Sequence, residues 1–197
     1  MKKSDPALLK EIQIKEALDT FPEKGSWKIF ECSRLAGHRK QKKKWKALGL
    51  QETEGGNYAF LLPERFFLVW RIIPLHGPQR NSRTQKIPFR FRPIPIHCGK
   101  LKWVVLYVGK TSKLKQRFQW HFSARDGNGG AQMLHNLSQC NIKGIGKSRK
   151  RAVQFLLDHG VIVYRILSRP QQAANREMIE VNLWAKYSPP FNIKSER

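Results

Sequence analysis

Cysteine is scarce in this chain. There are three in 197 residues, Cys32, Cys98 and Cys140, odd in number and with no C-x-x-C pair. That argues against a disulfide framework and makes a reducing cytoplasm the expected location. Long apolar runs are also missing. None approaches the roughly 20 residues needed to cross a bilayer, and the polar start Met1–Pro6 does not read as a secretory signal. No membrane partner is expected. Acid is scarce in one region above all: Arg65 to Arg125 holds 14 Lys or Arg and no Asp or Glu, whereas the first 64 residues hold 13 basic and nine acidic residues. No internal repeat is visible.

Against these absences stands a formal net charge of +24. Self-repulsion of that size disfavours a compact chain unless a partner uses the charge. A one-signed stretch interleaved with Arg, Phe and Trp suits a polyanion lying along the protein. A solvated basic face or an anionic membrane surface are the alternatives; the lack of an amphipathic anchor beside the charges speaks against the second. Six Trp, 11 Phe and 40% hydrophobic residues are enough for one good core or two small ones, and argue against a disordered chain.

Ser4 and Pro6 can open a helix over Ala7–Phe21. Lys40–Leu50 reads as a dense basic helix, with Trp45, Leu48 and Leu50 as its apolar side. Gly55-Gly56-Asn57 is a turn signal between Leu50–Thr53 and Tyr58–Leu62. With Ser33–His38 as a second element, helix, helix, basic helix and hairpin in that order fit a winged helix. Phe66–Ile73 reads as a buried strand. Pro74–Lys100 is a proline- and arginine-rich loop with an edge-like piece at Phe89-Arg-Phe-Arg-Pro. A second strand covers Leu101–Val108 and ends on Gly109. Ser112 or Thr111 can cap a helix over Lys113–Phe122. A glycine-rich loop, Ser123–Gly130, precedes a helix at Ala131–Leu137. A helix Ser148–His159 closes on Gly160, a third strand covers Val161–Leu167, and a last helix runs from Gln171 to Tyr187.

The expected fold is therefore α/β, a small three-stranded mixed or antiparallel sheet flanked by helices. Residues 1–64 would form a helical, winged-helix-type DNA-contacting region. Residues 65–197 would form the second domain, with an insertion at 74–100. Arg39, Lys40, Lys42, Lys43, Lys44, Lys46, Arg90 and Arg92 are the candidate phosphate contacts.

Chemistry-bearing residues concentrate in the second half. In Tyr107-Val-Gly-Lys110-Thr111 a strand ends on tyrosine and glycine lets the chain turn. Arg117 follows ten positions after Tyr107, and His121 four after Arg117, which places the two on one helical face. Glu180 lies mid-helix, and Asn192 closes Ser188-Pro-Pro-Phe-Asn192. On these residues the chain resembles the GIY-YIG nucleases over roughly Phe66–Asn192, closest to their type II restriction members. The family's first motif carries a strand tyrosine with no clear home here. Trp70 lies on the strand expected to carry it, and Tyr58 in Gly56-Asn-Tyr58 imitates its spelling from far upstream.

The resemblance implies a metal-dependent DNA endonuclease. Glu180 would hold one Mg2+ or Mn2+, and Arg117 would clamp a phosphate oxygen with its planar fork. Tyr107 or His121 would take the proton from water, with Lys110 easing a tyrosine base. Asn192 would orient the tyrosine or the glutamate by side-chain hydrogen bonds. Sequence-specific cleavage of double-stranded DNA by a homodimer is one expectation. A structure-selective or mobile-element nuclease, or a DNA-binding protein that kept the fold without the chemistry, are the others. Gly144-Ile-Gly-Lys-Ser148 lacks the first glycine and the strand of a P-loop, so no nucleotide cofactor is expected. His97, Cys98, His135 and Cys140 fit no common zinc spacing.

Overall fold

The computed structural model describes residues 21, 26–36, 48–66, 73–75, 87–89, 95–98, 101–122, 131–139, 145 and 148–192. Seven strands and five α-helices are formed by them: β1 Lys28–Glu31, α1 Ser33–Ala36, β2 Gly56–Pro63, β3 Ile73–Leu75, β4 Ile87–Phe89, β5 Pro95–Cys98, β6 Leu101–Thr111, α2 Leu114–His121, α3 Ala131–Gln139, α4 Arg149–His159, β7 Val161–Ile166 and α5 Ala173–Tyr187. The main sheet has five strands, not the expected three, in the order β1-β7-β2-β6-β5. Every neighbouring pair in it is antiparallel.

Strand β2 lies at the centre of this sheet, between β6 and β7. Its residues Gly56–Leu62 are all buried, because helices cover the sheet on both sides. Such a strand reads as a continuous apolar run rather than an alternating one. Successive side chains serve opposite layers. Tyr58, Phe60 and Leu62 join Leu114, Phe118, Leu134 and Leu156 from α2, α3 and α4. Ala59 and Leu61 join Val105, Val163, Ile179 and Leu183, the last two from α5. The helix α4 begins as expected, with Ser148 Oγ accepting the Arg151 amide as its N-cap.

Four expectations are corrected here. Gly55-Gly56-Asn57 is not a hairpin turn: residues 52–53 form a turn of their own, and the next strand pairs with Thr111 and Ile166 instead. A domain boundary after residue 64 would cut the sheet, since β1 and β2 belong to it. Gly109 does not end its strand; β6 continues through it to Thr111. Of the expected strand Phe66–Ile73, Phe66 closes a short 3-10 turn and Ile73 begins β3, which pairs with β4 in a separate two-stranded sheet. The rest of that strand, including Trp70, lies outside the described residues. So do the basic run Arg39–Lys46, Arg90, Arg92 and, apart from Phe21, the helix expected at Ala7–Phe21. Among the described residues, no helix is long and apolar enough to cross a membrane.

Candidate active site

The register of β2 on β6 carries one irregularity. Leu61 pairs with Val105 but Phe60 pairs with Tyr107, so Leu106 is an extra residue on β6. A one-residue slip turns every later side chain to the other face. Without the bulge Tyr107 would oppose Ala59 and point toward α5. With it, Tyr107 opposes Phe60 and shares the α2 side with Tyr58. The two phenol rings stand 6.0 Å apart between centroids.

Gly109 pairs directly with Tyr58. A Cβ placed on Gly109 would lie 2.5 Å from the Tyr58 hydroxyl oxygen. The glycine of Tyr107-Val-Gly109 is therefore required by the phenol crossing above it, not by a turn. Gly56 answers a similar demand, since a Cβ there would overlap the Arg165 carbonyl on β7.

Helix α2 brings Arg117 and His121 onto the same hydroxyl. Arg117 Nε donates to Tyr58 Oη at 3.0 Å, and His121 Nε2 lies 2.8 Å from it. Arg117 Nη2 also reaches Tyr107 Oη at 3.5 Å. The Tyr58 oxygen accepts from Arg117 and is hydrogen-bonded by Tyr107. Which group donates across the Tyr58–His121 contact follows the imidazole tautomer; a ring with its lone pair on Nε2 would accept the Tyr58 proton. Burial pushes the Tyr58 hydroxyl up to about 12; Arg117 opposes that rise, and the Glu180 charge adds slightly to it. Burial also works against the Arg117 charge, but the Tyr58 and Tyr107 oxygens outweigh it and hold its pKa above the ordinary value.

The acidic part of the site comes from the other side of the sheet. Asn57 and Lys110 are cross-strand partners. Lys110 Nζ binds Glu180 Oε2 at 2.7 Å and also pairs with Glu177, one turn earlier on α5. Burial pulls the Lys110 pKa down, and the hydrogen bonds to Glu177 and Glu180 more than reverse it. Lys110 thus serves the carboxylates, where the sequence placed it beside a tyrosine. Asn57 Nδ2 donates to the Arg176 carbonyl at 2.8 Å, which ties the start of α5 to β2 immediately before Glu177. The Asn57 Oδ1 is buried and has no hydrogen-bond partner among the described residues.

Asn192 touches neither a tyrosine hydroxyl nor Glu180 in the manner expected of it. Its Oδ1 accepts the Val108 amide at 2.8 Å and its Nδ2 donates to the Val108 carbonyl at 2.7 Å. The Phe191 amide donates to Leu106 O at 3.1 Å. The side-chain amide therefore imitates a strand peptide along β6, and both backbone neighbours of Tyr107 are pinned. Its effect on Tyr107 runs through that backbone.

Exposure divides the site in two. Tyr58, Tyr107 and His121 are buried, at 0%, 3% and 1%. Arg117 is half-buried. The Glu180, Lys110 and Glu177 side chains are 19%, 33% and 53% exposed. Among the described residues no three His, Cys, Asp or Glu side chains converge as a ready-made metal cluster; the pair Glu177 and Glu180 is what the site offers.

Of the two candidates for the first-motif aromatic, Tyr58 stands beside Tyr107, and Trp70 lies outside the described residues. The only signal for Tyr58 was the spelling Gly56-Asn-Tyr58. Asn57 and Glu177 were missed. Comparison of the chain with protein-family models, with curated proteins and with solved structures found no match.

Proposed function

We propose that this chain is a divalent-metal-dependent DNA endonuclease with a GIY-YIG-like active site. One observation carries the reading. Tyr58, Tyr107, Arg117 and His121, from two strands and a helix, share one hydrogen-bonded cluster whose Tyr58 lies within electrostatic range of the Glu180 carboxylate. A strand register shift, a glycine forced by a phenol and a backbone clamp all serve that convergence.

Phosphodiester hydrolysis needs a charge clamp on the phosphate, a proton acceptor for water and stabilisation of the leaving oxygen. Arg117 is fixed as a cation and presents its fork at the edge of the cluster, so it suits the clamp. His121 Nε2 lies 2.8 Å from the Tyr58 oxygen, so the two can act as one proton-transfer pair. A proton leaving water passes to the Tyr58 oxygen as the Tyr58 proton passes to His121 Nε2. This relay avoids a free phenolate, which the raised pKa of Tyr58 disfavours. Tyr107 joins Tyr58 and Arg117 in holding that geometry.

Glu180 is the residue that would hold a Mg2+ or Mn2+ ion. Hard carboxylate oxygens and a solvent-facing edge suit a cation that keeps several waters, and an ammonium already sits on Glu180. When bound, the ion would polarise the phosphate and stabilise the leaving 3′ oxygen. With +24 of formal charge, double-stranded DNA is the favoured substrate, cut at specific sites by a homodimer; a structure-selective or mobile-element nuclease shares the same chemistry. A second reading, a DNA-binding protein without catalysis, draws on the burial of both phenols.

Plasmid DNA with Mg2+ tests the reading, comparing wild type with Glu180→Ala. Discrete fragments that disappear in the variant support site-specific cleavage, and a smear that disappears supports cleavage of low specificity. DNA binding with no metal-dependent cleavage would overturn the enzyme reading.

A further inference from the structure

Resting on the assignment of Glu180 as the residue that holds the divalent ion, we propose that Lys110 is a resident cation of the site. Its ammonium occupies Glu180 in the metal-free protein, and Glu177 is the berth to which it moves when the ion arrives.

The geometry begins in the sheet. Lys110 lies on β6 directly opposite Asn57 on β2, and Asn57 fixes the Arg176 carbonyl. Arg176 in turn donates to the Leu167 carbonyl. The first turns of α5 are thus held over β6, and Glu177 and Glu180, three positions apart, come to one ammonium from adjacent turns. Lys110 pairs with both carboxylates at once. A group shared in this way can give up one partner without losing the other.

The two carboxylates are not equivalent. Glu180 is the more buried, at 19% against 53% exposure, and it is the one whose charge reaches Tyr58. A carboxylate left unpaired at a partly buried position costs free energy. The ammonium removes that cost in the metal-free state. A cation that binds Glu180 must displace the ammonium, so Lys110 weakens metal binding. Glu177 reduces the penalty of displacement, because the freed ammonium keeps a carboxylate partner. It acts on the metal only through Lys110, as a positioning residue.

Mn2+ titrated calorimetrically into the full-length chain, without DNA, separates these roles. Glu180→Gln is expected to lose binding. Lys110→Met is expected to bind Mn2+ about tenfold more tightly than wild type, and Lys110→Gln, which keeps a polar group there, is expected to follow it. Glu177→Gln is expected to bind several-fold more weakly, since the ammonium then has Glu180 alone. In the Lys110→Met background Glu177→Gln is expected to change the affinity by less than about threefold, which the double-mutant cycle reads as coupling through Lys110. Tightening in neither Lys110 variant overturns the proposal while leaving Glu180 as the metal residue. A full loss on Glu177→Gln in the Lys110→Met background overturns it too, because Glu177 would then be a ligand itself. Unchanged Mn2+ affinity in Glu180→Gln overturns the assignment of Glu180, and the proposal with it.

Discussion

Gly109 and Tyr58 fit together with no room to spare: a Cβ on the glycine would stand 2.5 Å from the phenol oxygen. The clash would fall on strand β6 and on an aromatic ring packed against Phe60 and Phe118, neither of which can give way easily. Gly109→Ala is therefore expected to displace the Tyr58 hydroxyl from Arg117 and His121. A loss of about 1–3 kcal/mol of stability follows from overpacking of this kind, measured by denaturant unfolding. Cleavage should fall further than DNA affinity. A variant as stable and as active as wild type would show that the phenol does not need this gap.

Tyr58 also makes an alkaline prediction. Its pKa is raised from 10.0 to about 12 in the folded chain, burial being the largest cause. The folded state then holds the proton more tightly than the unfolded one. Stability from this group is intact below pH 10 and declines as the pH rises toward 12. Two units correspond to roughly 3 kcal/mol. Unfolding free energies measured at pH 9 and pH 11.5 should fall more steeply for wild type than for Tyr58→Phe. Parallel slopes would place the titration elsewhere, for example at Tyr164, whose pKa burial also raises.

Asn192 uses both ends of its amide on Val108, so the two obvious replacements separate its roles. Alanine removes two hydrogen bonds from the β6 backbone, a loss of roughly 2 kcal/mol. Aspartate keeps an acceptor for the Val108 amide but turns an oxygen toward the Val108 carbonyl, and should rescue little. Both variants should lower the cleavage rate at saturating DNA with little change in DNA affinity, because the clamp acts on Tyr107 through its backbone neighbours. Full activity in Asn192→Asp would indicate that one hydrogen bond suffices.

The parts of the site that were legible in the sequence are those encoded locally. Arg117 and His121 are four apart on one helix, and Tyr107, Gly109 and Lys110 sit on one strand, so spacing alone groups them. What was not legible depends on pairing between distant segments. Gly55-Gly56-Asn57 spells a turn, yet Gly56 is there because the Arg165 carbonyl approaches it. The bulge at Leu106 leaves no mark in a uniformly apolar run, although it decides which face Tyr107 takes. Lys110 meets Glu177 and Glu180 from across the sheet, and no periodicity connects residues 67 and 70 positions apart. The fifth-strand pairing of β1 and the centrality of β2 are hidden for the same reason: a strand's neighbours are chosen by the whole sheet.

The basic run at Lys40, Lys42, Lys43, Lys44 and Lys46 offers a test of the DNA-binding proposal that is independent of catalysis. If these lysines neutralise phosphates, each contact releases counterions, and the logarithm of the binding constant falls against the logarithm of salt with a slope of about −0.9 per contact. Replacing Lys40, Lys42, Lys43 and Lys44 with glutamine should then flatten the slope by up to about 3.6. The measurement is fluorescence anisotropy of a labelled duplex over a salt series, made in the Glu180→Ala background so that no cleavage intervenes. The weakening should be similar for unrelated duplex sequences, because phosphate contacts carry no base information. Loss confined to one sequence would mean that the run reads base edges as well. An unchanged slope would remove the run from the interface and shift the binding role to the acid-free stretch Arg65–Arg125.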